Sequence, residues 1–284
     1  MFVIIGFFVV ILAIVVGFFI AGGNFLLLLQ YAELITIGGA AVGSLLIASP
    51  ISLLKKIFAE IPKAIKSENY TKKDYLELLK SFNELFLVAQ RDGLLAIEKH
   101  VEDPRTSQIL SVNKKFVNND LARNFFADTM KVMLSGGVPP HELEELIDTE
   151  IETLEIESKP VPAALARVGD SLPGLGIVAA VLGIIVTMAS IDKGAEVVGH
   201  HVAAALVGTF LGVLLAYGFV NPLAANIEHN METRMRLFTT IKACIVAYAK
   251  GNPPIIAIEI ARRTIFSDER PTFSELENYV RGKS

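Results

Sequence analysis

Four long apolar runs interrupt an otherwise polar chain. They extend over residues 2–21, 34–47, 173–191 and 202–223. Each approaches the length of about 20 residues that a helix needs to cross about 30 Å of hydrocarbon. The first run contains no charged residue, and Glu33 stands at the outer limit of the second. The pattern therefore predicts four transmembrane helices.

Polar segments separate these runs, and their apolar residues recur at spacings typical of amphipathic helices. Such spacing occurs over residues 75–88, 94–101, 122–134 and 141–157, and a mostly polar helix is expected over 227–249. Thr272 and Glu275 fit a capping box, in which each side chain bonds the other residue's free backbone amide. No run alternates long enough to require a strand. The predicted fold class is an all-α integral membrane protein, with four transmembrane helices, a helical domain between helices 2 and 3 and a helical C-terminal tail.

Basic residues give the expected orientation. Of the 26 Lys and Arg residues, none lies in 1–54 and only Lys193 lies in 170–225. Because cytoplasmic segments next to membrane helices collect Lys and Arg, both termini and the large middle segment are expected in the cytoplasm. Two short loops, near 22–26 and 192–201, are expected to face outward.

The chain is therefore expected to have four parts. A transmembrane hairpin over 1–50 is followed by a cytoplasmic domain over 51–169, a second transmembrane hairpin over 170–225 and a cytoplasmic tail over 226–284. The first run is expected to be a retained helix and not a signal peptide, because no Lys or Arg precedes Lys55.

Composition argues against several classes of function. The net charge is −4 and no basic patch is interleaved with aromatics, so nucleic acid is not an expected partner. Cys244 is the single cysteine, which excludes an internal disulfide and predicts a small buried thiol. The adjacent pair His200-His201 is expected in an outer loop, and His141-Glu142 lacks the second His of a zinc motif. No metal, cofactor or enzymatic activity is therefore expected.

Small residues recur on the third and fourth predicted helices. Lipid offers no hydrophobic drive for helix association, and small residues allow close backbone approach there. These residues either place both helices inside an assembly or only pack one hairpin within the monomer. The hydroxyls of Thr187 and Thr209 either line a polar path or bond back to their own helices. The residues that would face a pore or partner are Gly176, Ala180, Gly183, Thr187, Gly208, Thr209 and Gly212.

Two prolines lie at the expected cytoplasmic ends of these helices. Pro173 is expected in a first helical turn, where its missing N–H costs little, with Asp170 or Ser171 as the cap at the cytoplasmic mouth of helix 3. Pro222 lies within a continuing helical pattern and is expected to kink the helix or to free a carbonyl. The pair forms a hinge, or else the two are ordinary boundary prolines.

No Asp, Glu, Lys, Arg or His lies in the centre of any predicted span. A proton or sodium path normally needs an ionisable group at depth in the membrane. If this protein conducts ions, that group is therefore expected to come from another chain.

The chain resembles the MotA family of flagellar motor stator subunits. The matching stretches are RDGLLAIEKHVEDP (91–104), VGDSLPGLGIVAAVLGI (168–184), VGTFLGVLLAYGFVNPLA (207–224) and GNPPIIAIEIARRTIFSDERPTFSELE (251–277). The resemblance implies a homopentamer in the lipid bilayer of the bacterial inner membrane, around two copies of a MotB-like partner whose single span carries the ion-binding Asp. Ion flow would turn the ring, and the cytoplasmic domain would pass torque to the C-ring of the flagellar rotor. Pro173 and Pro222 match the family's two functional prolines.

The resemblance also implies residues that face the rotor. Glu98 matches an acidic residue of the family that faces charged rotor groups. Its basic companion sits eight residues earlier in well-known members, where this chain has Gln90, so the nearest cation, Arg91, is expected to take that role. Glu150 falls in an acidic stretch that the family also uses. Each of these charges could also be ordinary solvated helix surface.

One position of the third helix bears on the ion. Sodium-using relatives typically show Gly-Thr-Leu-x-Gly there, and the Thr hydroxyl can help to ligate sodium. The matching stretch here is residues 179–183, and Ala180 offers no oxygen. The resemblance therefore implies proton coupling, although Thr187 and Thr209 remain available elsewhere.

Two other functions would place different demands on the sequence. An energiser of outer-membrane processes, of the ExbB/TolQ type, would share the small-residue hairpin and the proton chemistry but not the C-terminal stretch. An intramembrane enzyme would need a metal-ligand cluster or a nucleophile–base pair within a span, and the sequence offers neither.

Overall fold

The computed structural model describes residues 2–24, 27–66, 69–189 and 191–282, apart from the side chain of Lys193. Within these residues the chain is helical and contains no strand, which confirms the predicted fold class. The α-helices are α1 (Phe2–Ile20), α2 (Tyr31–Ala48), α3 (Ile51–Lys66), α4 (Lys72–Asp92), α5 (Glu98–Glu102), α6 (Lys114–Asn118), α7 (Asp120–Ser135), α8 (Pro140–Ser158), α9 (Pro160–Met188), α10 (Ala195–Leu214), α11 (Asn221–Ala249), α12 (Pro254–Arg262) and α13 (Phe273–Val280). Short 3₁₀ segments occupy Leu94–Ile97 and Ile191–Lys193, and a π-helical turn occupies Leu215–Val220.

The chain divides into two compact units. The first contains residues 1–68 and 158–230, and the second contains residues 69–157 and 231–284. Each unit thus combines an early and a late part of the sequence. The segment expected as one cytoplasmic domain, 51–169, is shared between them, because α3 and the start of α9 belong to the first unit.

The first unit contains the four apolar stretches. Within the described residues, four helical segments are long and apolar enough to cross a membrane, as predicted. α9 and α10 pack against each other as a hairpin, and α2 contacts both of them. The shared apolar core is small and includes Ile37, Leu172, Ala179 and Ala216. α1 buries none of its residues, so its surface remains open for lipid or for another chain.

One predicted helix boundary is wrong. α9 begins at Pro160, so Pro173 lies in the helix interior and not in a first turn. Neither Asp170 nor Ser171 is therefore a cap, and the Ser171 hydroxyl instead donates to the Val168 carbonyl at 2.7 Å. The helix continues past the proline because Pro173 removes only its own N–H, and the residues before it still form α-helical hydrogen bonds.

One of the two predicted outer loops also differs from the structure. α10 begins at Ala195, and so His200 and His201 lie on a helix and not in a loop. Gly194, with a φ of +99°, provides the turn just before α10. The other predicted loop, near 22–26, lies partly outside the described residues because Phe25 and Leu26 are not included.

The second unit has a large aromatic core. Phe82 of α4 lies at its centre, with ring centroids 5.1 Å from Phe126 and 5.9 Å from Phe116. A second stack joins Phe86 to Tyr248 at 4.2 Å. Burial of such rings is the main source of stability for a domain in water. Cys244 is fully buried in this core, as predicted.

Capping boxes fix the start of two helices in the second unit. Thr71 and Asp74 form one at the start of α4, and Thr272 and Glu275 form the predicted one at the start of α13. Lys115 adds an ion pair to Asp74 at 2.7 Å.

Candidate functional site

Backbone contact between glycines holds α9 against α10. A Cβ built on Gly176 would lie 2.8 Å from the Gly208 carbonyl oxygen and 3.1 Å from the Gly212 Cα. A Cβ on Gly212 would lie 2.6 Å from the Leu172 carbonyl oxygen. No larger residue fits at either position without moving a helix. These glycines therefore already have a role within one chain.

The small face is the set of seven residues predicted to face a pore or partner. Its remaining members fall into two groups. Gly183 also packs within the hairpin, where an added Cβ would lie 2.9 Å from the Cβ of Ala205. Thr187 is buried, and its hydroxyl donates to the Gly183 carbonyl at 2.7 Å, so it bonds back to its own helix. Ala180 and Thr209 are half-buried and keep some surface for another chain. Pore or partner contact by any of these residues stays a prediction.

A carboxylate enters this packed region from α2. Glu33 is only 8% exposed, and its Oε2 atom lies 3.2 Å from the position that a Cβ on Gly208 would take. The same position is 3.2 Å from the backbone nitrogen of Ala180 and 3.3 Å from the Cβ of Ala179. Three helices thus meet at the Glu33 side chain.

The two prolines stand in different helical surroundings. Pro173 is accommodated inside α9, which continues on both sides of it. Pro222 lies one residue after Asn221, which ends the π-helical turn and whose N–H donates to the carbonyl of Ala216, five residues earlier. The π turn changes the hydrogen-bond register just before the residue that lacks an N–H, and π turns are frequent at functional sites.

A polar contact joins the helices next to both prolines. The Asn221 Nδ2 donates to the Asp170 Oδ1 at 3.0 Å. The Oδ1 atom of Asn221 lies directly against Gly169, where a Cβ would have no space. That oxygen is buried and has no hydrogen-bond partner among the residues that the structure describes. Asp170 is therefore a bonding partner between helices and not a helix cap.

The predicted rotor charges of the second unit surround a sharp corner. Arg91 lies at the end of α4 and pairs with the adjacent Asp92, with an Nη2–Oδ2 distance of 2.7 Å. Gly93 then turns the chain with a φ of +91°. Glu98 is exposed at the first position of α5 and has no ion-pair partner within the described part of the chain. Arg91 and Glu98 are therefore both accessible and are not paired with each other.

Glu150 is half-buried on α8 of the same unit. Burial raises the pKa of its carboxyl group, and the nearby charge of Asp128 adds to that rise. A charged Glu150 therefore costs the folded unit some stability, unlike a fully solvated surface charge.

The described residues hold no group of three or more His, Cys, Asp and Glu side chains that could bind a metal ion. The geometry instead provides a dense helix hairpin, one inserted carboxylate and an exposed charged corner.

Two family models match the chain. The model for the N-terminal part of motility protein A matches residues 4–93, and the model for the MotA/TolQ/ExbB proton channel family matches residues 117–240. Motility protein A of Salmonella typhimurium is 37% identical over 281 residues, which cover 99% of this chain and 95% of that relative. This chain belongs to the motility protein A family.

Other proteins similar to this chain support its place in the family. The chemotaxis protein LafT of Vibrio parahaemolyticus is 36% identical, with 93% of each chain covered. The MotAB structure of C. jejuni has a TM-score of 0.80 at 20% identity, covering 95% of this chain and 98% of that one. The flagellar MotAB stator complex of Bacillus subtilis has a TM-score of 0.72 at 23% identity, covering 90% and 92%. The fold of the motility protein A family therefore extends over the chain, which is a multi-pass membrane protein.

Sequence reasoning missed two residues of this motility protein A family member. The sequence places Glu33 only at the limit of a span, because its contact with Gly208 depends on the packing of α2 across the hairpin. Asn221 stands beside Pro222 at the edge of an apolar run, and an amide in that position is itself a signal. Both contacts are between helices, and the spacing within one helix does not reveal them.

Proposed function

We propose that this chain is the stator subunit of a flagellar motor, which forms a proton channel with a MotB-like partner and converts proton flow into torque on the rotor. The observation that carries the proposal is the similarity to motility protein A over nearly the full length of both chains. Five copies would surround two copies of the partner in the bacterial inner membrane, with both termini in the cytoplasm.

The lack of a charge in the centre of the spans supports a partner that brings its own acid. A carboxylate on the partner's single span would supply the ionisable group that an ion path needs at depth. Ala180 supports protons over sodium, because its side chain has no oxygen to ligate a hard cation. Ala180 and Thr209 are half-buried, so each has surface left for that partner.

The two prolines supply the proposed hinge. Pro173 and Pro222 lie next to the Asp170–Asn221 hydrogen bond, where a small rearrangement could change how the two helices meet. Replacement of either proline by alanine should impair rotation more than assembly of the ring, and a variant with normal torque would contradict the hinge.

The charged corner of the second unit would contact the rotor, with Arg91, Glu98 and Glu150 as the contributing charges. The exposure of Glu98, without an ion-pair partner in the described chain, supports this role because an accessible charge can attract a rotor charge of opposite sign. Glu98→Lys should lower motility and leave the protein level unchanged. Glu102→Lys is a matched control, since Glu102 is exposed on the same short helix.

Expression of the chain with its partner in a flagellated strain that lacks stators tests the function. Restored swimming that persists without sodium, at constant proton-motive force, is the expected result. Failure of swimming with a correctly assembled complex would favour an ExbB/TolQ-type energiser, which the family model over residues 117–240 also includes.

A further inference from the structure

Glu33 is a titratable group that the proposed mechanism does not use. It lies in the first turn of α2, is 8% exposed and contacts Gly208 of α10 beside Ala179 and Ala180 of α9. It makes no ion pair or hydrogen bond within the described residues. A Cβ on Gly208 would lie 3.2 Å from the Glu33 Oε2 atom, so the glycine lets the carboxylate lie close to α10 without crowding.

The depth of Glu33 can be judged from the helix rise. Ser49, just after α2, and Ser171 of α9 line one groove, so they lie at the same level as the proline region. With a rise of about 1.5 Å per residue, Glu33 is about 24 Å from Ser49 along α2, and Gly208 is about 21 Å from Pro222. The proline region is expected at the cytoplasmic face of the membrane. Measured from there, both distances place the Glu33 carboxylate inside a hydrocarbon layer of about 30 Å, near its outer face.

The surroundings of Glu33 contain few other titratable groups. On α2 the other is Tyr31, on α9 none follows Asp170, and on α10 none follows His201. His201 lies two turns before Gly208 on the same side of α10, toward the same face of the membrane. A charged carboxylate without a partner is costly at such a depth, and intramembrane acids usually mark ion pathways.

We propose that Glu33 is a proton-binding residue at the outer end of the ion path, ahead of the partner's carboxylate. The proposal rests on the proposed proton channel. The Glu33 carboxylate takes a proton from a hydronium ion on the outer side, which leaves water and a neutral carboxylic acid. The acid then passes the proton to water on the path toward the partner and becomes a carboxylate again.

The test compares Glu33→Gln and Glu33→Asp in the full chain, expressed with its partner in a strain without stators. Glutamine keeps the size and polarity of the side chain but binds no proton in this pH range. We expect Glu33→Gln to assemble normally, with proton flux into vesicles and swimming speed about tenfold lower, because a positioned proton-transfer group contributes at least that much. Glu33→Asp should keep part of the flux and change its dependence on external pH.

Glu196→Gln is the matched control. Glu196 is an exposed glutamate in the first turn of α10, and its removal makes the same change in charge. This variant should behave like the wild type in flux, speed and assembly.

The possible outcomes separate this inference from the proposed function. A wild-type complex that neither conducts protons nor restores swimming overturns the proposed function itself. Normal flux in an assembled Glu33→Gln complex overturns only the role of Glu33. If Glu33→Gln fails to assemble, Glu33→Asp decides, and an unchanged dependence of its flux on external pH then shows that Glu33 is merely structural.

Discussion

The two units of this chain are held together by different contacts. In the first unit, Gly176 and Gly212 bring helix backbones together, and its apolar core is small. In the second unit, large rings such as Phe82 and Phe126 are fully buried. Water drives large apolar side chains into a core, whereas lipid gives no such drive and favours close backbone packing. The same chain therefore follows two packing rules.

The largest expected effect comes from a side chain at the glycine contact. Gly212→Leu would force its Cβ to within 2.6 Å of the Leu172 carbonyl oxygen, and neither backbone can move aside without separating the helices. We expect no assembled complex, measured by size-exclusion chromatography in detergent. Gly199→Leu on the same helix, where an added Cβ has no atom within 4 Å, should assemble. Equal assembly of both variants would contradict the packing rule for the first unit.

The second largest effect is expected from a substitution in the aromatic core of the second unit. Phe82→Ala removes a fully buried ring and leaves a cavity, which should cost about 3–5 kcal/mol of unfolding free energy. Hydrogen exchange of α4 in the assembled complex measures it. Leu95→Ala, at a position 74% exposed, is the control and should change the same exchange little. A smaller loss for Phe82 than for Leu95 would mean that the rings do not provide the stability.

A smaller effect is expected when the ion pair at the start of α4 is removed. Burial alone would raise the pKa of Asp74, but hydrogen bonds from Lys115 and Thr71 outweigh it and hold that pKa below its usual value. Asp74→Ala should therefore cost about 2 kcal/mol at pH 7. The loss should shrink as the pH falls through the lowered folded pKa, since the wild-type carboxylate is then protonated as well. Glu77→Ala, which removes one long surface ion pair, is the control.

The smallest effect has the opposite sign. The pKa of Glu150 is raised, so its charged form opposes folding at pH 7, and Glu150→Gln should stabilise the second unit by less than about 1 kcal/mol. This gain should be present above the raised folded pKa and vanish at acid pH, where wild-type Glu150 is neutral. Thermal unfolding followed by circular dichroism at pH 7 and pH 4 measures it. Glu152→Gln, an exposed neighbour on α8, should give no gain.

The sequence predicted helix type better than helix ends or contacts between helices. An apolar run, or apolar residues three and four positions apart, can be recognised within a short stretch of sequence. The four spans and helices α4, α7, α8 and α13 could therefore be expected. The start of α9 at Pro160 could not, because the helix continues past the end of the apolar run into polar sequence. The Glu33–Gly208 contact could not either, since it depends on how three helices pack.

The same limit applies to the small face. The sequence shows that small residues recur on one side of α9 and of α10. It does not show whether that side packs within the chain or against a partner. The structure assigns Gly176, Gly183, Gly208 and Gly212 to contacts within the chain. Pattern alone could not separate those from Ala180 and Thr209, because a helix face has the same period whichever neighbour covers it.

The π turn at Leu215–Val220 has a consequence for insertions and deletions. The Asn221 N–H bonds the carbonyl five residues earlier, so the turn holds one residue more than an α-helical turn would. Removing one residue there should restore bonds to the fourth preceding residue and keep Asn221 facing Gly169 and Asp170. Removing one residue from the regular part of α10 would instead rotate everything after it by about 100° and break that link, so a one-residue deletion should be tolerated better in the π turn than in α10.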